Sequence, residues 1–391
     1  MDLHGKHLLE GLSDMGHQVV VISTKHPSNK DHEIINGVHY YFLKNTTFGS
    51  SRREWKHESL IKFRHIIETE KIDVVISQSK AGYSVVKMAK NFGLPFVTIL
   101  HGYELMVFYS IFNQIRYFGE GYILLIKSFL SRIYYTIFQE TPLLLNSTKI
   151  ITVSQSVADI FKQRPFVKEK NIEIINYGID INIFQPSNHN RHAIRNKFGF
   201  KENDHVVLYL SLISKQKGAD IAVKAIKQLV DRKDIKLILA GDGEYLNDLK
   251  YLVSQYHLES RVVFTGFINN DDTSKYYQAS DIFIFPTLRL ESFGIVIAEA
   301  MACKKPVIAS NIGSVPNVIV DGVDGLLIHP GDYDGLAKQI IRLINDKDLY
   351  KNISEAGYLK AKRKYNLGFM IKKTEKVLES AIHQIKGDVT K

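Results

Sequence analysis

The chain of 391 residues contains one cysteine, Cys303, so no internal disulfide can form and a disulfide-framed secreted scaffold is excluded. Long apolar runs are also missing. In the stretch richest in aromatics, residues 105–139, no unbroken apolar run exceeds the five residues of YILLI, far short of the ~20 residues that span a bilayer. The first residues lack the charged and apolar blocks of a signal peptide. Positive charge is not localised: the net charge is +10, yet residues 1–184 hold 21 basic against 17 acidic groups and the remainder 30 against 24. No basic arm stands out, and there is no zinc spacing, Walker loop, RNA-binding signature or acidic cluster with metal-ligand spacing, so neither nucleic acid nor a metal is expected. At 45% hydrophobic and 24% charged residues the composition is that of a soluble globular protein, and the lone thiol suits a reducing cytosol.

What is present is alternation. Strand-like runs GHQVVVIST, KIDVVISQ, LPFVTILHG, TKIITVSQS and IEIINYGID are followed by a second series, HVVLYLSL, IKLILAGDG, RVVFTGFI, DIFIFP, PVIAS and GLLIHPGD. Helical patterns such as GADIAVKAIKQLVDR lie between them, which predicts an α/β protein with two doubly wound parallel sheets covered by helices. The polar stretch DINIFQPSNHNRHA reads as the linker, giving domains over 1–184 and 185–364, with a final helix in 365–391 that packs back on the first domain. The chain opens on a helix, MDLHGKHLLEGLSD, where a doubly wound sheet opens on a strand. The reading therefore expects a first strand and its turn to be encoded upstream of Met1.

One helix carries an unusual acid. In ESFGIVIAEAMAC the only charged side chain from Phe293 to Cys303 is Glu299, although a surface helix would carry a broad polar stripe. Such a helix is mostly buried, and a buried carboxylate needs hydrogen-bond donors from protein or ligand. The alternative is a lone glutamate facing solvent. Gly294 permits close backbone approach, and the N–H groups of the first turn favour an anion or a ring of hydroxyls. Glu299 follows about 7 to 8 Å along the axis at 1.5 Å per residue. That spacing suits a ligand with an anionic end at the helix start and a diol farther along.

From Glu291 to Asp332, ESFGIVIAEAMACKKPVIASNIGSVPNVIVDGVDGLLIHPGD resembles the donor-binding region of family 4 glycosyltransferases, retaining enzymes of GT-B fold. The likeness continues in order through TKIITVSQSV, INYGID, KQKGADIAVKAI, LAGDGEYLNDL and VVFTGFI, covering nearly the whole chain. It implies two Rossmann-like domains facing a cleft, the first taking the acceptor and the second a UDP- or GDP-linked sugar. It further implies that Glu299 accepts hydrogen bonds from the ribose hydroxyls. Glu291, with Ser292 and the backbone of Phe293, Gly294, Ile295 and Val296, would hold the transferred sugar and its phosphates. Lys217 would neutralise the leaving pyrophosphate, and His101 would face the donor sugar. In this family the leaving phosphate accepts the acceptor's proton, and no residue here stands out as a covalent nucleophile. Other readings of these residues are a solvated lysine at a helix start, a surface-loop acid and a hydrogen-bonded strand-end histidine.

Two departures from the family matter. Its usual Gly-Arg pair is replaced by Ser211 and Leu212, and leucine donates nothing to phosphate, so Lys215, Arg289 or Lys304 would have to substitute. The family's glycine-rich turn after strand one would fall before Met1. The acceptor is expected to be a cell-surface glycan or glycolipid precursor, handled in the cytoplasm or at the inner face of the membrane. Residues 105–139 read either as an interfacial helix pair that meets the bilayer or as a core-packed helical insertion, and their near-balanced charge favours the second. The rival to an enzyme is a non-catalytic binding or partner subunit of the same fold, motivated by Leu212.

Overall fold

The computed structural model describes residues 3–47, 53–102, 122–164 and 167–389, and these form two compact units. The first contains the described residues up to 102, then Ile123–Gly178, and resumes at Leu367; the second is Ile179–Asn366.

In the first unit a helix, Leu3–Asp14, leads into a sheet of β1 (Val20–Thr24), β2 (His32–Ile35) and β3 (Val38–Leu43), in the order β1-β3-β2. β1 and β3 are parallel, but β2 and β3 form an antiparallel hairpin. Its turn is Asn36-Gly37, with φ of 49° and 76°, the left-handed pair that a two-residue hairpin turn requires. This antiparallel pair departs from the all-parallel sheet that the strand alternation predicts. The helix Arg53–Thr69 leads to a second sheet of β4 (Val75–Gln78), β5 (Phe96–Leu100), β6 (Lys149–Thr152) and β7 (Ile172–Ile174), parallel throughout. The closing helix, Leu367–Val389, packs on the first: Met370, Ile371 and Leu378 share a core with Leu8, Leu9 and Leu12. Of the segment 105–139, residues up to 121 lie outside the described residues; the rest is a helix, Tyr122–Tyr135, continued by a wider turn, Thr136–Glu140.

The second unit has one six-stranded parallel sheet: β8 (His205–Leu210), β9 (Ile235–Ala240), β10 (Val262–Gly266), β11 (Ile282–Phe285), β12 (Val307–Ser310) and β13 (Leu326–Ile328). Every residue of IFIF in β11 and VIAS in β12 is buried, as strands covered on both faces must be. The order β10-β9-β8-β11-β12-β13 is the doubly wound 3-2-1-4-5-6 arrangement, in which the chain reverses direction across the sheet between β8 and β11. Ligands of such sheets bind outside the carboxyl ends of the strands at that switch point.

The linker expectation needs correction in its second half. Asn188–Lys197 is helical and packs on the helix Asn270–Ala279. Its sequence, NHNRHAIRNK, has little apolar periodicity. Charge holds it instead: Arg191 and Arg195 reach opposite oxygens of Asp281 at 2.7 and 2.5 Å, and Arg195 Nε also donates to the carbonyl of Ala279.

Candidate active site

The two loops at the switch point bring Lys217 and Glu291 together. Beyond β8, the chain makes a short turn over Lys215–Lys217, and Gly218 follows in the left-handed region at φ 74°. A Cβ there would stand 2.0 Å from the carbonyl oxygen of Pro286, so glycine lets this loop lie directly against the end of β11. Lys217 Nζ donates to Glu291 Oε1 at 2.7 Å, and the same oxygen accepts from Thr287 Oγ1 at 3.1 Å. Thr287 is fully buried and receives the backbone N–H of Arg289, which fixes the loop. The backbone of Glu291 is held as well, its carbonyl accepting from Ser314 N–H at 2.9 Å. Thr287 was missed in the sequence; four residues before Glu291 in PTLRLES, it carries no periodic signal.

Gly294 caps the next helix, Ile295–Ala302, with φ 85°. Ser292, Gly294, Ile295 and Val296 are half-buried, while Phe293 is buried edge-on against Tyr365 at 5.2 Å between ring centroids. Thus the helix start is partly open to solvent, and within its first turn Ile297 N–H already donates back to the Gly294 carbonyl at 2.9 Å. Glu299 lies on the buried stretch that follows. Tyr277 Oη, from the helix Asn270–Ala279, donates to Glu299 Oε2 at 2.8 Å. Burial pushes the Glu299 carboxyl up to about 7, and the bond from Tyr277 opposes that rise. Tyr277 is itself fully buried between Phe283 and Phe184, and its hydroxyl is pushed well above the usual tyrosine range. Tyr277 is thus a donor of the kind a buried Glu299 needs, and no local pattern in the sequence signals it, because it sits 22 positions away on another helix.

The departures on the phosphate side resolve unevenly. Leu212 is 58% exposed and offers only its backbone, accepting from Tyr209 Oη at 3.2 Å. Lys304 is no substitute for the absent arginine: it follows the carboxyl end of the helix Ile295–Ala302, about 12 Å of axis from its start, and is paired with Glu355. Arg289 is exposed. Lys215 lies over the Tyr245 ring at 5.7 Å and, with Glu244 and Asp248, lines a small recess of about 200 Å³ in the same loop cluster.

His101 belongs to the first unit, directly after β5. Its Nε2 faces Gln78 Oε1 and its Nδ1 faces Tyr177 Oη, both at 2.7 Å. Because Gln78 Oε1 only accepts, Nε2 carries the proton and Nδ1 accepts from the tyrosine. His4 joins this group, its ring 4.3 Å from Tyr177 and 5.4 Å from His101 between centroids. His4, Gln78 and Tyr177 were not identified from the sequence.

Two Rossmann-like α/β units make up a GT-B fold. The family model described as Glycosyl transferases group 1 matches residues 190–360, and that described as Glycosyltransferase Family 4 matches residues 3–183. This chain belongs to the family 4, group 1 glycosyltransferases and is an enzyme of that class. It is 26% identical over 394 residues to an uncharacterized glycosyltransferase of Methanocaldococcus jannaschii, covering 98% of this chain and 95% of the relative. It is 31% identical over 214 residues to alpha-monoglucosyldiacylglycerol synthase of Streptococcus pneumoniae, covering 54% of this chain and 48% of that protein. Among solved structures, Anabaena HepE in complex with UDP and glucose superposes with a TM-score of 0.73 at 20% identity, covering 97% and 96% of the two chains.

Proposed function

We propose that this protein is a retaining glycosyltransferase that moves a sugar from a UDP- or GDP-linked donor to a cell-surface glycan or glycolipid precursor. The carrying observation is the joining of Lys217 to Glu291 at the switch point of the second unit, with the open helix start and Glu299 following within one short helix. On this reading the diphosphate lies at the first turn of Ile295–Ala302, where N–H groups and the helix dipole meet negative charge. Lys217 neutralises the charge that develops as the bond from the anomeric carbon to the phosphate oxygen breaks. Glu291 accepts from sugar hydroxyls, and Ser292 with the backbone of Phe293 to Val296 completes the sugar and phosphate contacts. Glu299 accepts from the ribose diol, with Tyr277 orienting its carboxylate. His101, its tautomer fixed by Gln78 and Tyr177, is assigned to the sugar. Retention follows if the departing phosphate oxygen takes the acceptor's proton while the acceptor oxygen bonds to the same face of the sugar.

The nucleotide assignment is supported by the UDP and glucose bound to HepE, and the glycolipid class by the diacylglycerol named in the pneumococcal relative. No described helix is long and apolar enough to cross a membrane. The helix Tyr122–Tyr135 and its continuation nevertheless expose Phe129, Leu130, Tyr134, Ile137 and Phe138, which favours the interfacial reading and action at the cytoplasmic face of the bilayer. Leu212 supports a second reading, a binding subunit without turnover. Calorimetry with UDP, GDP, ADP and their sugar conjugates separates the possibilities. Selective binding of one nucleotide, weakened in Glu299→Ala, with donor turnover, supports the enzyme; selective binding with no turnover or donor hydrolysis supports the second reading; no binding at all removes the donor site.

A further inference from the structure

Gln78 closes β4 beside His101 in a way that stability alone does not select. Its Oε1 accepts from His101 Nε2, yet its own Nε2 is buried with no hydrogen-bond partner among the described residues. An unpaired buried donor is destabilising, and native chains keep few of them. The next residue adds a second strain: Ser79 stands in the left-handed region at φ 50°, which a residue with a Cβ seldom adopts. This turn is enforced by its surroundings. Ser77, buried one position before Gln78, donates from its hydroxyl to the Ser79 carbonyl at 2.9 Å and accepts from Gly82 N–H at 2.8 Å. Strain held in place in this manner gathers at functional sites.

What it secures is one imidazole. His101 follows β5, the strand paired with β4, in which Ile99 stands opposite Gln78. Tyr177, three residues beyond β7, donates from Oη to the other ring nitrogen at 2.7 Å, its ring inclined at 20° to that of His101 with 5.6 Å between centroids. His4, from the first helix and only 8% exposed, sets its ring edge-on to both. Two bonds on opposite sides fix the rotation of the imidazole, and an oxygen that only accepts fixes the proton on Nε2. Tyr177 alone does not fix it: a phenol hydroxyl donates and accepts, so either tautomer satisfies it. Gln78 therefore decides which nitrogen carries the proton.

We propose that Gln78 is a positioning residue of the transfer reaction, kept at a loss of folding stability because its Oε1 holds His101 as the Nε2–H tautomer in one orientation. The proposal rests on the assignment of His101 to the sugar made above. A ring whose tautomer and rotation are set beforehand needs no rearrangement as charge develops on the sugar. Loss of Gln78 thus acts on turnover and spares the stability of the fold.

Gln78→Met removes the acceptor and the unpaired donor together at similar volume. It is expected to lower kcat by about ten- to a hundredfold, the scale of a small misplacement of a reacting group. Affinity for UDP or GDP should stay within about twofold, as for distant sites. The melting temperature should be unchanged or raised, where a glutamine with a merely structural role would lower it when replaced. Long-range proton–nitrogen correlation spectra of histidine-labelled protein should show His101 as a single Nε2–H tautomer in the parent and as a mixture in Gln78→Met. Gln78→Glu, which keeps an acceptor at that place, should hold Nε2 protonated and retain more of kcat than Gln78→Met. His101→Ala identifies the signals and tests the underlying assignment. If kcat falls in His101→Ala and not in Gln78→Met, or if the tautomer is the same in Gln78→Met as in the parent, the positioning role is overturned. Unchanged kcat in His101→Ala removes the histidine from the sugar, and the role of Gln78 goes with it.

Discussion

Lys217 Nζ and Glu291 Oε1 meet at 2.7 Å although 74 residues separate them, and both side chains are more than four-fifths buried. A pair this sheltered is screened little, so removing one member leaves the other charge poorly solvated. Lys217→Ala is expected to lower kcat by about a hundred- to a thousandfold, the usual cost of losing one group that stabilises leaving-group charge. Glu291→Gln should cost less in kcat and more in KM, because it keeps the shape and loses acceptor strength. Steady-state kinetics with the donor class found by calorimetry decide this; unchanged kcat in Lys217→Ala would remove the lysine from the reaction.

Glu299 predicts a pH dependence with opposite signs for stability and for binding. Its folded carboxyl titrates near 7 against an ordinary 4.5, so the folded chain keeps a proton that the unfolded chain has released. Stability from this group therefore falls as pH rises from about 4.5 to 7 and is level above, by at most ~3 kcal/mol. Donor affinity should rise across pH 7, since the ionised form accepts most strongly from hydroxyls. Glu299→Gln is expected to flatten both profiles and to weaken donor binding about ten- to a hundredfold, from the loss of bonds to a charged acceptor. Urea titrations and calorimetry at pH 5.5, 7 and 8.5 check the pair of trends.

Tyr277→Phe separates the tyrosine's positioning from packing. The phenol bond lowers the Glu299 pKa, so its removal should move the pH midpoint of donor binding upward by about one unit, the equivalent of one hydrogen bond to a charged group. A purely structural role would lower the melting temperature and leave that midpoint where it was.

Legibility in the sequence followed the range of the interactions involved. The strands of the second unit were visible because burial on both faces writes itself as uninterrupted apolar runs, as in IFIF and VIAS. Glu299 was visible for the same reason, as the one charge on such a helix. Pairings across the fold were not: Lys217 came to the site through family resemblance, and Thr287 and Tyr277 through coordinates alone. The first six residues of the helix Asn188–Lys197 read as linker because ion pairs, which leave no period, hold it. The Asn36-Gly37 hairpin was a true omission, since its turn signal is local and present.

Asp281 carries a stability prediction away from the chemistry. It stands just before β11, at the end of the strand opposite the switch point, and accepts from Arg191, Arg195 and the backbone N–H of Val206. Asp281→Ala leaves two guanidinium groups without their counter-charge and should cost about 3 to 5 kcal/mol. Urea midpoints measure it. Donor affinity of the folded fraction should be unchanged, and a loss of more than about threefold would mean that this network reaches the site, against the expectation that distant sites act independently.

The exposed face of Tyr122–Glu140 gives the last prediction. Leu130 and Phe138 are 61% and 60% exposed, with Tyr134 between them at four-residue spacing, so the three share one face of the helix. Lys80 stands 4.0 Å over the neighbouring Tyr135 ring and places a cation beside that face. Apolar area and a nearby positive charge together favour an anionic bilayer surface. Sedimentation with phosphatidylglycerol vesicles should pellet the protein, and Leu130→Glu with Phe138→Glu should weaken partitioning by at least about tenfold, because each buried side chain contributes ~1.5 to 3 kcal/mol. Both substitutions lie in the first unit, so donor binding by the double variant should be unaltered. Equal pelleting of both proteins would assign this face to a protein partner or to the fold itself, and the acceptor would then be sought among soluble glycans.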